Sequence, residues 1–198
     1  VSKKGLFVKA WADLYKDIVE YRPNSELRDV DVATNTAILE FAKVKADVLN
    51  VIPPQRAGDI AAKSGLKLIN RRWVDINWLS MESTSTPGVH VLGDATFPAP
   101  TMPKSGHLAN QQAKLGAAAI LNMLAGDAPS ATPLVMNTSY SYVDTRNAIH
   151  VASVHTYDAA TRTMQPVKGA GGVSATPNEI EGKAAMGWVK NIWADMLA

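Results

Sequence analysis

The apolar run Val89-His-Val-Leu92 ends in Gly93-Asp94-Ala95. A proline-rich loop follows from Phe97 to Pro103, and an alanine-rich helical stretch opens near Lys104. A buried strand that ends in Gly-Asp sets a carboxylate at its carboxyl end, where open α/β sheets bind their ligands. Gly93 lets a ligand approach the backbone closely, and Asp94 accepts hydrogen bonds from sugar-like hydroxyls. A helix that begins after Pro103 turns unpaired N–H groups and its positive end toward the same crevice. An electron-rich group suits that place. A flavin meets both needs, with ribityl hydroxyls for Asp94 and the N1–C2=O edge for the helix start. Reduction builds negative charge on that edge, so the helix dipole would raise the flavin potential. The same pattern also serves as a plain turn followed by an N-cap, and the residues alone leave both readings open.

Other side chains carry weaker signals. Gln55 and Arg56 follow Pro53-Pro54 at the end of an apolar run, where they either contact a cofactor or cap the loop. Lys104 either stabilises charge on a reduced flavin or is solvated at the helix start. His107 either influences flavin protonation or occupies helix surface, and His90 reads as a core or edge histidine. His150 and His155 stand five apart on a strand pattern, so they point to opposite faces and make a poor metal pair. Trp188 and Trp193 are also five apart, and core packing is the simpler reading of both.

Several elements must position these groups. Gly5 to Tyr21 has helical apolar spacing and is stopped by Pro23. Glu26 to Leu39 reads as weak strand. Ala46 to Ile52 is an apolar run suited to a parallel strand buried on both faces, and Ala57 to Ser64 is a short helix that Gly65 stops. After the Val89–Leu92 strand, the long helix spans about Lys104 to Leu124 and should be mostly buried; Gly126 ends it. Val135 to Tyr142, Ile149 to Tyr157 and Met164 to Val167 read as strands, Gly169-Ala-Gly-Gly172 as a turn, and Glu179 to Leu197 as a terminal helix.

Composition narrows the function classes. With 198 residues and 46% apolar content the chain can bury one large core or two small ones. Charged residues are 19% and the net charge is +2, with no basic stripe, which argues against nucleic acid. No apolar run is long enough for a membrane span, and no signal peptide is legible. Cysteine is absent, which excludes disulfides and thiolate chemistry within these residues. The chain starts on Val1, as a processed product, an engineered chain or a fragment would.

Four segments decide between the open readings. Ala46-Asp-Val-Leu-Asn-Val-Ile-Pro-Pro-Gln-Arg-Ala-Gly58, Gly88-Val-His-Val-Leu-Gly-Asp-Ala95, Met102-Pro-Lys-Ser-Gly106 and Ala109-Asn-Gln-Gln-Ala-Lys114 resemble the flavoprotein subunit of flavocytochrome c sulfide dehydrogenase. Asn137-Thr-Ser-Tyr-Ser141 does so with one change. The resemblance implies the C-terminal half of a flavoprotein with two dinucleotide-binding domains, α/β in class and α+β overall. Residues 1–45 would end the second nucleotide-binding-like domain, 46–128 would complete the FAD-binding domain, and 129–198 would form a small α+β module facing a c-type cytochrome. It also implies FAD as cofactor, a small sulfur compound as substrate and a periplasmic address. Gly93, Asp94, Ala95, Pro103, Lys104, Ser105, Gln55 and Arg56 become the cofactor-binding candidates. The Gly-rich phosphate loop of the family would lie upstream, and no G-x-G-x-x-G occurs in these residues, so this stretch alone should bind FAD poorly.

The sequence departs from the family at its chemistry. Ser139 occupies the place of a redox-active cysteine, and Val74 that of a second frequent cysteine. A serine hydroxyl neither forms a persulfide nor exchanges with a disulfide, so the usual sulfide relay cannot run through position 139. Two other readings compete: a relative of sulfide:quinone or type II NADH dehydrogenases, and a catalytically silent module that docks a cytochrome. The first usually carries an amphipathic membrane helix, and the modest apolar stripe of the last helix, flanked by acids, speaks against it.

Overall fold

The computed structural model describes residues 2–197 and divides them into two compact units, Val8–Gln55 and residues 2–7 with 56–197. Helix α1, Lys4–Leu14, crosses the division. It is shorter than the apolar spacing predicts, because Asp17 takes a left-handed conformation soon after it.

In the smaller unit β1 (Leu27–Asp31), β2 (Thr36–Leu39) and β3 (Lys43–Lys45) form an antiparallel meander. Its first turn is stabilised by Asp31, whose Oδ1 accepts from the N–H groups of Ala33 and Thr34. The strand predicted over Ala46–Ile52 does not form. Val48 and Ile52 are 87% and 77% exposed, and no strand pairs with this run among the described residues. A parallel strand takes all its hydrogen bonds from neighbours, so apolar composition alone cannot make one.

In the larger unit α2 (Asp59–Lys63) is followed by Gly65 at φ +71°. Next come two hairpins, β4 (Leu68–Ile69) with β5 (Trp73–Val74) and β6 (Ile76–Asn77) with β7 (Glu82–Ser83). Asn70 and Arg71 both have positive φ, the geometry a tight hairpin turn demands. Val89–Leu92 is another correction: it contributes one antiparallel bridge, His90 to Glu82, rather than a buried strand. Gly93–Ala95 is a single 3-10 turn, and Thr96 bridges Val74 in parallel. Helix α3 (Gly106–Ala125) then runs to Gly126, which adopts the left-handed conformation at φ +86°.

A three-stranded antiparallel sheet follows, built from β8 (Leu134–Tyr142), β9 (Ala148–Asp158) and β10 (Thr163–Val173) with β9 in the centre. Gly169–Gly172 lies inside β10 instead of forming a turn, at a register shift between Pro166 and Gly171. Gly171, at φ +120°, presses on the Ala152 carbonyl so closely that no side chain fits. The described residues are α+β, and the four small sheets among them are antiparallel.

The core gathers Trp73, Val74, Met81, Leu108, Val135 and Met164. It takes only one stripe of α3, namely Leu108, Gln112, Gly116 and Ala119. Leu124 at the far end is 81% exposed, so the helix is buried less than its apolar content predicts.

Helix α4 (Glu179–Met196) packs against β9 and starts with a reciprocal cap. Asn178 Oδ1 accepts from Glu181 N–H, while the Glu181 carboxylate accepts from Ser174 Oγ at 2.5 Å, from Asn178 Nδ2 at 3.3 Å, and lies 3.1 Å from His150 Nδ1. Burial raises the Glu181 pKa, but the hydrogen bonds of Ser174, His150 and Asn178 outweigh it and hold the group below its usual range. A depressed carboxylate stabilises the fold fully above the ordinary glutamate value of about 4.3, and that stability is lost as pH falls through the lower folded value. Glu181→Gln is therefore expected to flatten the fall in thermal midpoint below about pH 4.3. Parallel acid curves for the two proteins would contradict this role.

Candidate functional site

The start of α3 is the focal point of the larger unit. Ser105 is its N-cap: the hydroxyl accepts from Leu108 N–H at 3.2 Å and donates to Asn137 Oδ1 of β8 at 2.6 Å. Gly106 and His107 supply first-turn N–H groups that have no acceptor within a helix. One narrow crevice beside this start, about 10 Å³ in volume, is lined by Gly93, Asp94, Pro103, Lys104, Ser105 and Gln112, among others. Five of the sequence-derived candidates thus share one wall system, and Ala95 closes the turn that carries Asp94.

Their roles divide clearly. The Asp94 side chain is exposed and makes no hydrogen bond among the described residues, which leaves it able to accept from hydroxyls. Lys104 is turned inward. Its ammonium donates to the carbonyls of Asp94 and Thr96, both at 2.7 Å, and stands 3.8 Å from the centre of the Trp73 ring. Burial lowers its pKa, and the Asp94 charge offsets this in part. Arg56 pairs with Asp59 at 2.7 Å and does not line the crevice, while Gln55 belongs to the smaller unit.

Ser139 lies on the other side of the same helix start. With Ser105, His107, Tyr140, Tyr142 and Trp188 it lines a hollow of about 330 Å³. Its hydroxyl meets the Asn137 amide at 3.2 Å, and the Lys3 ammonium donates to its carbonyl and to Ser141 Oγ. His107 Nδ1 accepts from Thr138 N–H at 3.0 Å, and burial lowers its pKa, so the ring is neutral at pH 7. Its edge meets the Trp188 ring with centroids 5.6 Å apart. A third hollow, about 470 Å³, adjoins Thr101 and Pro103 and runs over Asn137, Ser153 and the glycines of β10.

An exposed carboxylate, with no hydrogen bond among the described residues, and a polar-aromatic hollow thus flank the start of α3. Two family models match the chain. One, flavocytochrome c sulphide dehydrogenase, flavin-binding, covers residues 131–197, and the other, sulfide dehydrogenase [flavocytochrome c] flavoprotein chain, central, covers residues 1–53. The chain belongs to this flavoprotein family. The cofactor of the flavocytochrome c sulfide dehydrogenase flavoprotein is FAD, and the flavin-binding match contains Asn137, Ser139 and Trp188, which wall the hollows beside α3. The family is an oxidoreductase family whose name includes a cytochrome partner. No helix among the described residues is long and apolar enough to cross a membrane.

Sequence reasoning did not single out Gln112, Asn137 or Trp73. Two of them left a trace. Gln112 falls four residues after Leu108, on the stripe of α3 that faces the core, and Asn137 falls two after Val135 on the buried face of β8. A polar residue at an apolar position of a periodic pattern marks a bonded, specific site.

Proposed function

We propose that this chain is the C-terminal part of an FAD-dependent oxidoreductase that takes electrons from sulfide or a related reduced sulfur compound and delivers them to a c-type cytochrome in the periplasm. Residues 1–45 end a second nucleotide-binding-like domain, 46–128 complete the FAD domain of a two-dinucleotide-domain fold, and 129–198 form the module that faces the cytochrome. The observation that carries the reading is the shared crevice of Asp94 and the α3 start.

FAD, when bound, supplies two-electron acceptance and one-electron delivery. Asp94 would hold the ribityl hydroxyls, and the first-turn N–H groups of Gly106 and His107 would face the flavin where the positive end of α3 favours added negative charge. Neutral His107 adds no second cation there. Ser139 brings a hydroxyl to the position where the family has its redox cysteine, so the donor must reach the flavin without a thiol at that site. The missing cysteine is also what favours the second reading, a silent cytochrome-docking module.

Absorbance of the intact flavoprotein tests both. A flavin spectrum that bleaches with sulfide supports the proposal, bleaching with NADH supports a type II dehydrogenase relative, and no bound flavin supports the docking module. Asp94→Ala is expected to weaken FAD about 10- to 100-fold, the worth of charge-assisted hydrogen bonds, with the apo-protein unfolding midpoint unchanged. Unaltered FAD affinity would remove Asp94 from the site.

A further inference from the structure

Gln112 is 3% exposed and is the one amide on the buried stripe of α3, whose other members are Leu108, Gly116 and Ala119. A buried amide is costly unless bonded. Its Oε1 accepts from Gly93 N–H at 2.5 Å, a contact between residues nineteen apart in the chain. Gly93 has φ +69°, and a Cβ there would stand 3.2 Å from the Ala109 Cβ, so the Gly93–Ala95 turn lies directly on the helix. From the opposite side, Lys104 grips the carbonyls of Asp94 and Thr96, and Thr96 Oγ1 donates to the Gly93 carbonyl at 2.9 Å. All of these bonds hold the backbone of the turn. The Asp94 carboxylate itself is left for something else.

We infer that Gln112 is a positioning residue for the cofactor: by holding Gly93 N–H it sets the height and direction of the Asp94 carboxylate above the start of α3. The inference rests on reading the crevice as the flavin site. Gln112 touches the turn rather than the cofactor, so its influence passes through Asp94, and that dependence is measurable. A bonded amide holds the turn from the helix side, while Lys104, seated over the Trp73 ring, holds it from the loop side.

The test uses the intact flavoprotein with Gln112→Met, which keeps the length of the side chain and removes the acceptor, and Gln112→Glu, which keeps an acceptor in place. FAD affinity is measured by fluorescence quenching and the flavin midpoint potential by dye-coupled reduction, beside apo-protein unfolding. Gln112→Met is expected to weaken FAD about tenfold, with Glu restoring affinity to within about threefold. The decisive measurement is a double-mutant cycle: Asp94→Ala added to Gln112→Met should cost far less than Asp94→Ala alone. Losses that add in full, or a Met variant with unchanged affinity, overturn the positioning role while leaving the flavin site standing. If the Met variant does not fold, a Glu variant with the affinity of the wild type supports the role, and one that loses FAD overturns it. A wild-type flavoprotein that holds no FAD overturns both readings.

Discussion

Gly182→Ala is expected to destabilise the larger unit by about 3 kcal/mol, the upper range for forcing an atom into a packed contact. In an exposed helix the same change stabilises, because glycine there costs roughly 0.5–1 kcal/mol relative to alanine. The sign reverses at this position because α4 meets the β8–β9 connection through bare backbone. A Cβ on Gly182 would overlap the carbonyl oxygen of Arg146 and lie 3.1 Å from its carbon, both rigid backbone atoms. Tyr142 fixes the same turn of helix, donating its hydroxyl to the Gly182 carbonyl at 2.6 Å. Neither side can give without moving α4 off the sheet, and Trp188 would move with it. Gly187, exposed on the same helix with nothing within 4 Å of its would-be Cβ, is the internal control. Gly187→Ala should gain about 0.5–1 kcal/mol. Urea unfolding of both variants checks the pair, and equal signs would contradict the packing.

Leu108→Ala should cost about 2–5 kcal/mol, as removal of a fully buried leucine does when the surroundings only partly collapse. Leu108 is 2% exposed and is the α3 residue in the central cluster with Val135 and Met164. Its effect should extend beyond stability. Leu108 N–H also donates to the Ser105 cap, so loosening this side chain frays the first turn, which carries the N–H groups of Gly106 and His107. FAD affinity of the intact flavoprotein should therefore fall in conditions where the variant is still folded. A folded variant with full affinity would mean that the helix start does not bear on the cofactor.

Local order is where sequence reasoning reached furthest. The helix expected from about Lys104 to Leu124, with Gly126 after it, lies within two residues of α3 at each end, because helix stops are set by residues adjacent in the chain. The strands expected over Val135–Tyr142 and Ile149–Tyr157 likewise lie within a residue of β8 and β9 at each end. The same reasoning failed for Ala46–Ile52 and Val89–Leu92. An apolar run states that a segment can be buried, but whether it becomes a strand depends on a neighbour to bond with. The glycines of β10 misled for a related reason: Gly171 serves a close backbone approach inside a strand rather than a turn.

The candidate site shows the same division. Asp94 after Gly93 was legible as a candidate from residue type and order, Ser105 was named only through the family resemblance, and its capping role came from the structure. Tertiary structure decided what those groups do. It turned Lys104 inward onto two carbonyls, withheld Arg56, and joined Gln112 to Gly93 and Ser105 to Asn137. Each of those choices depends on distances between residues far apart in the chain, and buried polar atoms take whichever partner the packing brings within reach.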